Sequence, residues 1–171
     1  MQRLTTEQRN NIVRAAKEWL GTPYHHHARV KRAGADCAMF PLAVYQESGV
    51  VPREYAPPHY SVQWHLHRSE ELYLNEIEKF VVEINAPPRP ADFVVFRFGR
   101  TFSHGAIVVD WPIVIHAYIP HGVLLSDALR DGELLGREHK CFEVRPLATE
   151  AAQATEAAHR PNNDSSMTVT L

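Results

Sequence analysis

Gly34-Ala35-Asp36-Cys37-Ala38-Met39-Phe40-Pro41-Leu42-Ala43-Val44-Tyr45-Gln46 is the stretch on which the reading of the chain turns. Apolar residues at positions 37, 40, 41, 44 and 45 recur at helical spacing, which predicts a helix from Cys37 to about Ser48. Asp36 stands where an N-cap belongs, and Gly49 suits the C-terminal end. Pro41 is tolerated because it falls in about the first turn. A thiol in that turn meets unpaired backbone N–H groups and the positive end of the helix dipole, which favour a thiolate. The same position also suits a small buried residue, as free cysteine often is. The rest of the chain has to decide between nucleophile and core.

Size and composition narrow the classes. A chain of 171 residues fits one domain with a real core, and a net charge of −2 offers nothing to nucleic acid or an anionic membrane. The two cysteines, Cys37 and Cys141, lie far apart and do not form a disulfide scaffold. No apolar run approaches the roughly 18 residues of a membrane span. Met1 to Glu7 lacks the apolar region of a signal peptide, so the expectation is a protein made in the cytoplasm and carried outward, if at all, by other machinery.

Thr5 or Thr6 caps a first helix running to about Leu20, with Ile12, Val13, Ala16, Trp19 and Leu20 on one side. Gly21-Thr22-Pro23 ends it, and Tyr24 to Ala35 reads as a loop carrying His25-His26-His27. Pro52 to Tyr60 is a proline-rich connection. Leu66, Leu72, Leu74, Ile77, Phe80, Val81 and Ile84 predict a second long helix from about Val62 to Ile84. Pro87-Pro88-Arg89-Pro90 then separates a helical half, residues 1–86, from a strand half, residues 90–147. Phe93–Phe98, Ser103–Val109, Ile113–Ile119, Val123–Leu125 and Cys141–Arg145 read as strands. Residues 148–171 lack an apolar period and read as a flexible tail.

Eleven histidines are many for this length, and two are singled out. His104 and His116 flank the Asp110-Trp111-Pro112 turn. A loop with an odd number of residues puts them on one face, about 5–8 Å apart; a loop of two or four residues puts them on opposite faces. One imidazole could take the thiol proton and a second could orient the first, with His104 as base and His116 as orienter. Gly105 leaves room beside His104 for a backbone or a substrate. Adjacent side chains in His25-His26-His27 point apart, and no further Cys or carboxylate has zinc-like spacing with them, so no metal site is expected. His65 and His67 lie too close together in sequence to share a helix face. His59, His121, His139 and His159 read as surface residues, and Cys141 as core.

Together, Trp19-Leu20-Gly21-Thr22-Pro23-Tyr24, Asp36-Cys37, Pro90-Ala91-Asp92-Phe93-Val94-Val95-Phe96, Ser103-His104-Gly105-Ala106-Ile107-Val108 and Ile115-His116-Ala117 resemble the NlpC/P60 cysteine peptidases, in order and approximate spacing, over about residues 8–146. The nearest flavour is the compact, signal-less type of phage tails and gene-transfer particles. The resemblance implies an α+β, papain-like fold with N-terminal helices packed on an antiparallel β-sheet. It also implies hydrolysis of peptidoglycan stem peptides, commonly between D-glutamate and a diamino acid. By position Cys37 is the nucleophile, His104 the base and His116 the third member, with Tyr24 beside the thiol and the Cys37 N–H serving the oxyanion. The family has Ser-Gly after the cysteine where this chain has Ala38-Met39, and a glycine where this chain has Ala91. Asp36 and Ser103 remain as substrate contacts.

The expected activity is thus that of a thiol endopeptidase of murein, needing neither metal nor organic cofactor. The expected partners are a stem peptide and phage-tail proteins, not nucleic acid or membrane, and the expected location is a virion tail. Two alternatives stand beside it: a non-catalytic tail-assembly protein on the same fold, and a thiol amidase or acyltransferase with a cytoplasmic substrate.

Overall fold

A computed structural model describes residues 2–60 and 72–146. The first helix, Thr6–Lys17 (α1), starts in a capping box: Gln8 N–H donates to the Thr5 hydroxyl, and the Gln8 side chain accepts from Thr5 N–H. Its inner face buries Ile12 and Ala16, with Trp19 just beyond the last turn, while Leu20 is exposed.

The segment expected as an open loop after Pro23 contains a small antiparallel hairpin, Arg29–Val30 (β1) with Gly34–Ala35 (β2). Tyr24 bridges to Ala35, so the strand leading into Cys37 is held against the Tyr24 loop. The next helix is Met39–Glu47 (α2), two residues later than expected, and Cys37 stands in the turn that leads into it.

The predicted long helix from 62 to 84 does not hold as one element. Its first ten residues lie outside the described residues. Leu72–Ile77 (α3) is helical, but Val81–Ile84 is a strand (β3). Val81, Val82 and Ile84 are β-branched, and each of the four residues pairs with a partner in Cys141–Val144. A ladder to a neighbouring strand overrides weak helical spacing. The proline run at 87–90 therefore does not separate helices from strands, because β3 precedes it and joins the sheet that follows.

That sheet continues with Phe93–Phe98 (β4), Thr101–Asp110 (β5), Ile113–Tyr118 (β6) and Gly122–Asp127 (β7). A 3-10 turn at Gly132–Leu134 leads into His139–Val144 (β8). Among the described residues the sheet has six strands in the order β3-β8-β4-β5-β6-β7, all antiparallel.

One sheet face, with Phe93, Val95, Ile107, Ile115 and Phe142, packs on Ile12, Trp19, Phe40 and Val44 from the helical layer. The other, with Val94, Phe96, Ala106, Val108 and Val114, is covered by Ala128 and Leu134 from the β7–β8 connection. A buried ion cluster ties α1 to the sheet. Arg9 donates to Asp92 Oδ1 at 2.7 Å and to the Pro90 carbonyl at 2.8 Å, and its guanidinium lies 3.6 Å from Glu143. Ala91, between these acceptors, sits at φ 69°, a left-handed conformation that glycine adopts more readily than alanine.

Candidate active site

The hairpin that carries the two histidines has a two-residue turn, Trp111-Pro112, which by simple alternation would put them on opposite faces. They nevertheless share a face. The β5–β6 register runs Ile107↔Ile115 and Val108↔Val114, then jumps to Asp110↔Ile113, leaving Val109 as an extra residue. This bulge restores the odd count. His104 lies opposite Phe96 on β4, and its Nε2 is 2.7 Å from His116 Nδ1. Both rings are buried.

The chain of polar contacts goes one residue further. His116 Nε2 is 3.0 Å from Ser126 Oγ on β7. Sequence reasoning missed Ser126, since nothing local marks it; only the register Val114↔Ser126 and His116↔Leu124 brings it diagonally beside His116. Burial depresses the His116 pKa to about 4, so the ring is neutral near pH 7.

Cys37 approaches from the helical layer. Its thiol lies 3.9 Å from the Ser103 carbonyl, next in sequence to His104. Tyr24 lines the same cleft as the thiol, and its hydroxyl favours the charged form of the sulfur. Tyr73, from α3, donates to the Cys37 carbonyl at 3.4 Å. Gly105 does leave room, but protein fills it: a Cβ there would lie 2.2 Å from the Tyr73 hydroxyl and 2.4 Å from the Phe93 ring.

The electrostatics correct the expectation of a ready-made thiolate. Burial, then the neighbouring Asp36 carboxylate, pushes the Cys37 pKa up to about 12, although Tyr24 and a backbone N–H pull the other way. Helix-start donors do not prevail because Asp36 has already taken them. Its Oδ1 accepts from Ala38 N–H at 3.0 Å and from Met39 N–H at 2.8 Å. Its Oδ2 accepts from His27 N–H at 2.8 Å and from the Tyr60 hydroxyl at 2.7 Å, with His26 Nδ1 at 3.3 Å. The N-cap of α2 is Ala38 rather than the expected Asp36, which is fully buried two residues earlier and organises the loop around the thiol.

Tyr24, Asp36, Cys37, Ser103 and His104 line one cleft of about 200 Å³ together with His26, Tyr60, Phe98, Tyr118 and Ile119. All the sequence-selected site residues thus reach this cleft or, for His116, stand directly behind it. A larger cavity of about 290 Å³ between α2 and α3 has mostly apolar walls and holds neither the thiol nor the histidine pair. His26 and His27 pack with Tyr60, and His27 stacks on His59, an aromatic cluster of which His26 and Tyr60 line the cleft. Among the described residues no three metal-ligating side chains converge. His59 and His121 are exposed as expected, but His139 is half-buried against Phe96 and Trp111. Cys141 is half-buried rather than fully core, with a thiol pushed up to about 11 by burial. His65, His67 and His159 lie outside the described residues.

No family model matches the sequence, and no curated protein matches it. Solved structures do. The NlpC/p60 domain of the peptidoglycan hydrolase SagA is similar at 19% identity and a TM-score of 0.53, over 77% of this chain and 96% of that domain. An NLP/P60-family lipoprotein-like protein from Staphylococcus aureus is 19% identical, with a TM-score of 0.51, over 78% of this chain and 40% of that one. An NlpC/P60 family protein from Bacillus cereus is 17% identical, with a TM-score of 0.54, over 77% of this chain and 39% of that one. The chain therefore spans nearly all of the SagA domain but about two-fifths of the other two. The likeness establishes the fold, an α+β NlpC/P60 fold with helices packed on an antiparallel sheet.

Proposed function

We propose that this protein is a cysteine peptidase that hydrolyses peptidoglycan stem peptides, at the bond between D-glutamate and the diamino acid. The observation that carries the reading is the 2.7 Å contact between His104 Nε2 and His116 Nδ1, with the Cys37 thiol in the same cleft. The fold it shares with a peptidoglycan hydrolase domain supports the substrate class.

Because His104 engages His116 through Nε2, the proton of Cys37 passes to Nδ1 of His104. The thiolate attacks the amide carbonyl, and the Cys37 N–H steadies the developing oxyanion. His104 returns its proton to the leaving amine as the C–N bond breaks, leaving an acyl-thioester. Water then attacks with His104 as base, the C–S bond breaks, and the thiol is restored. His116 holds the imidazole in orientation, Tyr24 holds the sulfur, Asp36 holds the loop around the thiol, and Ser103 stands in the cleft wall beside the substrate. A thiol that rests protonated is deprotonated only as the substrate is attacked, which limits side reactions of a nucleophile carried to the wall by a phage tail or similar particle.

Digestion of purified peptidoglycan by the wild type and by Cys37→Ala, followed by mass spectrometry of the soluble fragments, tests the reading. The expected result is release of stem-peptide fragments ending in D-glutamate by the wild type alone. Release by neither protein overturns it and would favour instead a tail-assembly protein on the same fold.

A further inference from the structure

Behind the two histidines stands a residue whose place is defined by the sheet. Ser126 Oγ meets His116 Nε2 at 3.0 Å, and His116 Nδ1 meets His104 Nε2 at 2.7 Å, so two hydrogen bonds run in series. A neutral imidazole carries one N–H and one acceptor nitrogen, so the series has two self-consistent settings. In the first, His104 Nε2–H donates to His116 Nδ1, and His116 Nε2–H donates to Ser126 Oγ. In the second, the Ser126 hydroxyl donates to His116, His116 Nδ1–H donates to His104, and His104 carries its hydrogen on Nδ1. Only the first leaves His104 Nδ1 able to take a proton.

We propose that Ser126 is a positioning residue for the reaction, accepting the Nε2–H of His116 and so holding the two-histidine relay in the setting that makes His104 a base toward Cys37. The inference rests on the peptidase reading, in that the base it sets acts on the thiol. The fold favours acceptance over donation. Ser126 is half-buried on β7, a strand at the edge of the sheet, where its own hydroxyl hydrogen can turn to water, while His116 Nε2 has no such outlet.

The position of Ser126 is also held. Six residues of β7 are in register with β6. At the strand start, Gly21 N–H donates to the Val123 carbonyl, and Val123 N–H donates to the Thr22 carbonyl, both at 2.8 Å. Gly122 makes this approach possible: it sits at φ 73°, and a Cβ on it would lie 2.2 Å from the Thr22 carbonyl oxygen. The same strand therefore anchors both Ser126 and the loop that carries Tyr24 to the thiol.

The test needs no knowledge of the substrate. Alkylation of Cys37 by iodoacetamide, mapped by peptide mass spectrometry, is compared across neutral pH for the wild type, Ser126→Ala, Ser126→Thr and His104→Ala. Nitrogen-15 NMR of the imidazoles reports the His116 tautomer. The expected wild-type tautomer is Nε2–H. Ser126→Ala is expected to mix the tautomers and slow alkylation about fivefold, the worth of one neutral hydrogen bond, and Ser126→Thr to restore both. Wild-type His116 protonated on Nδ1 overturns the proposal, and this reading stands even if Ser126→Ala fails to fold. Slower alkylation in His104→Ala with none in Ser126→Ala overturns the role of Ser126 alone. No slowing in His104→Ala overturns the thiol–imidazole reading and this inference with it.

Discussion

His104 and His116 share a sheet face because one residue, Val109, is left out of the ladder between their strands. Adding or removing a single residue in a strand reverses the facing of everything beyond it. Deletion of Val109 is therefore expected to set the alternation of β5 against that of β6 and to abolish the cooperative thermal transition followed by circular dichroism. Val109→Ala, which keeps the count, is expected to retain it. A deletion variant that melts like the wild type would show that the bulge does not set the pairing.

The Cys37 thiol holds its proton more tightly in the folded protein, pushed up to about 12, than in an unfolded chain, where a thiol titrates near 8.5. In His104→Ala, with the base gone, alkylation is expected to rise about tenfold for each pH unit from 7 to 10 without a plateau, because the thiolate fraction grows that way below the pKa. A plateau near pH 8.5, measured by the same peptide mapping, contradicts the half-buried, Asp36-opposed thiol.

His116 shows the opposite sign. Its charged form is penalised by burial, so its folded pKa lies at about 4 against an ordinary 6.5. The stability this represents is full above pH 6.5 and is lost as pH falls from 6.5 toward 4, reaching about 3 kcal/mol. His116→Gln removes the titrating group. Its urea-unfolding free energy is expected to fall less than that of the wild type between pH 7 and pH 4, by about that amount. Equal losses in the two proteins would reject the buried neutral imidazole.

Arg9 and Asp92 form an ion pair at 2.7 Å in which both side chains are buried. Removing one partner leaves a charge in the core without its counterpart, at a cost of about 3–5 kcal/mol. Arg9→Met is expected to lower stability by that amount, and the double variant Arg9→Met/Asp92→Asn by clearly less, read from urea unfolding. Additive losses would mean that the two groups do not interact.

Much of this architecture is legible in short-range patterns. The Thr5 cap, the helix after Asp36-Cys37, and the run Phe93-Val94-Val95-Phe96-Arg97-Phe98 are local statements, and local propensity decided them. Val81–Ile84 is where that reading failed. Its residues fit a helix by spacing and a strand by branching, and only the eight-residue ladder with Cys141–Val144 made the choice. Asp92 shows a motif residue whose partner, Arg9, is out of reach of any local pattern, 83 residues away.

For the site, the sequence by itself determined the residue types: a cysteine at a helix entry, a tyrosine before it, and two histidines about one hairpin apart. The tertiary structure alone decided how they work. Parity of the hairpin depended on a bulge that no residue type announces, and Ser126 entered through the register of a neighbouring strand. The charge state of Cys37 was inverted from its local expectation because burial and Asp36 outweigh a helix start whose N–H groups Asp36 already occupies. Propensities act between neighbours in the chain, whereas desolvation, pairing and charge act between neighbours in space.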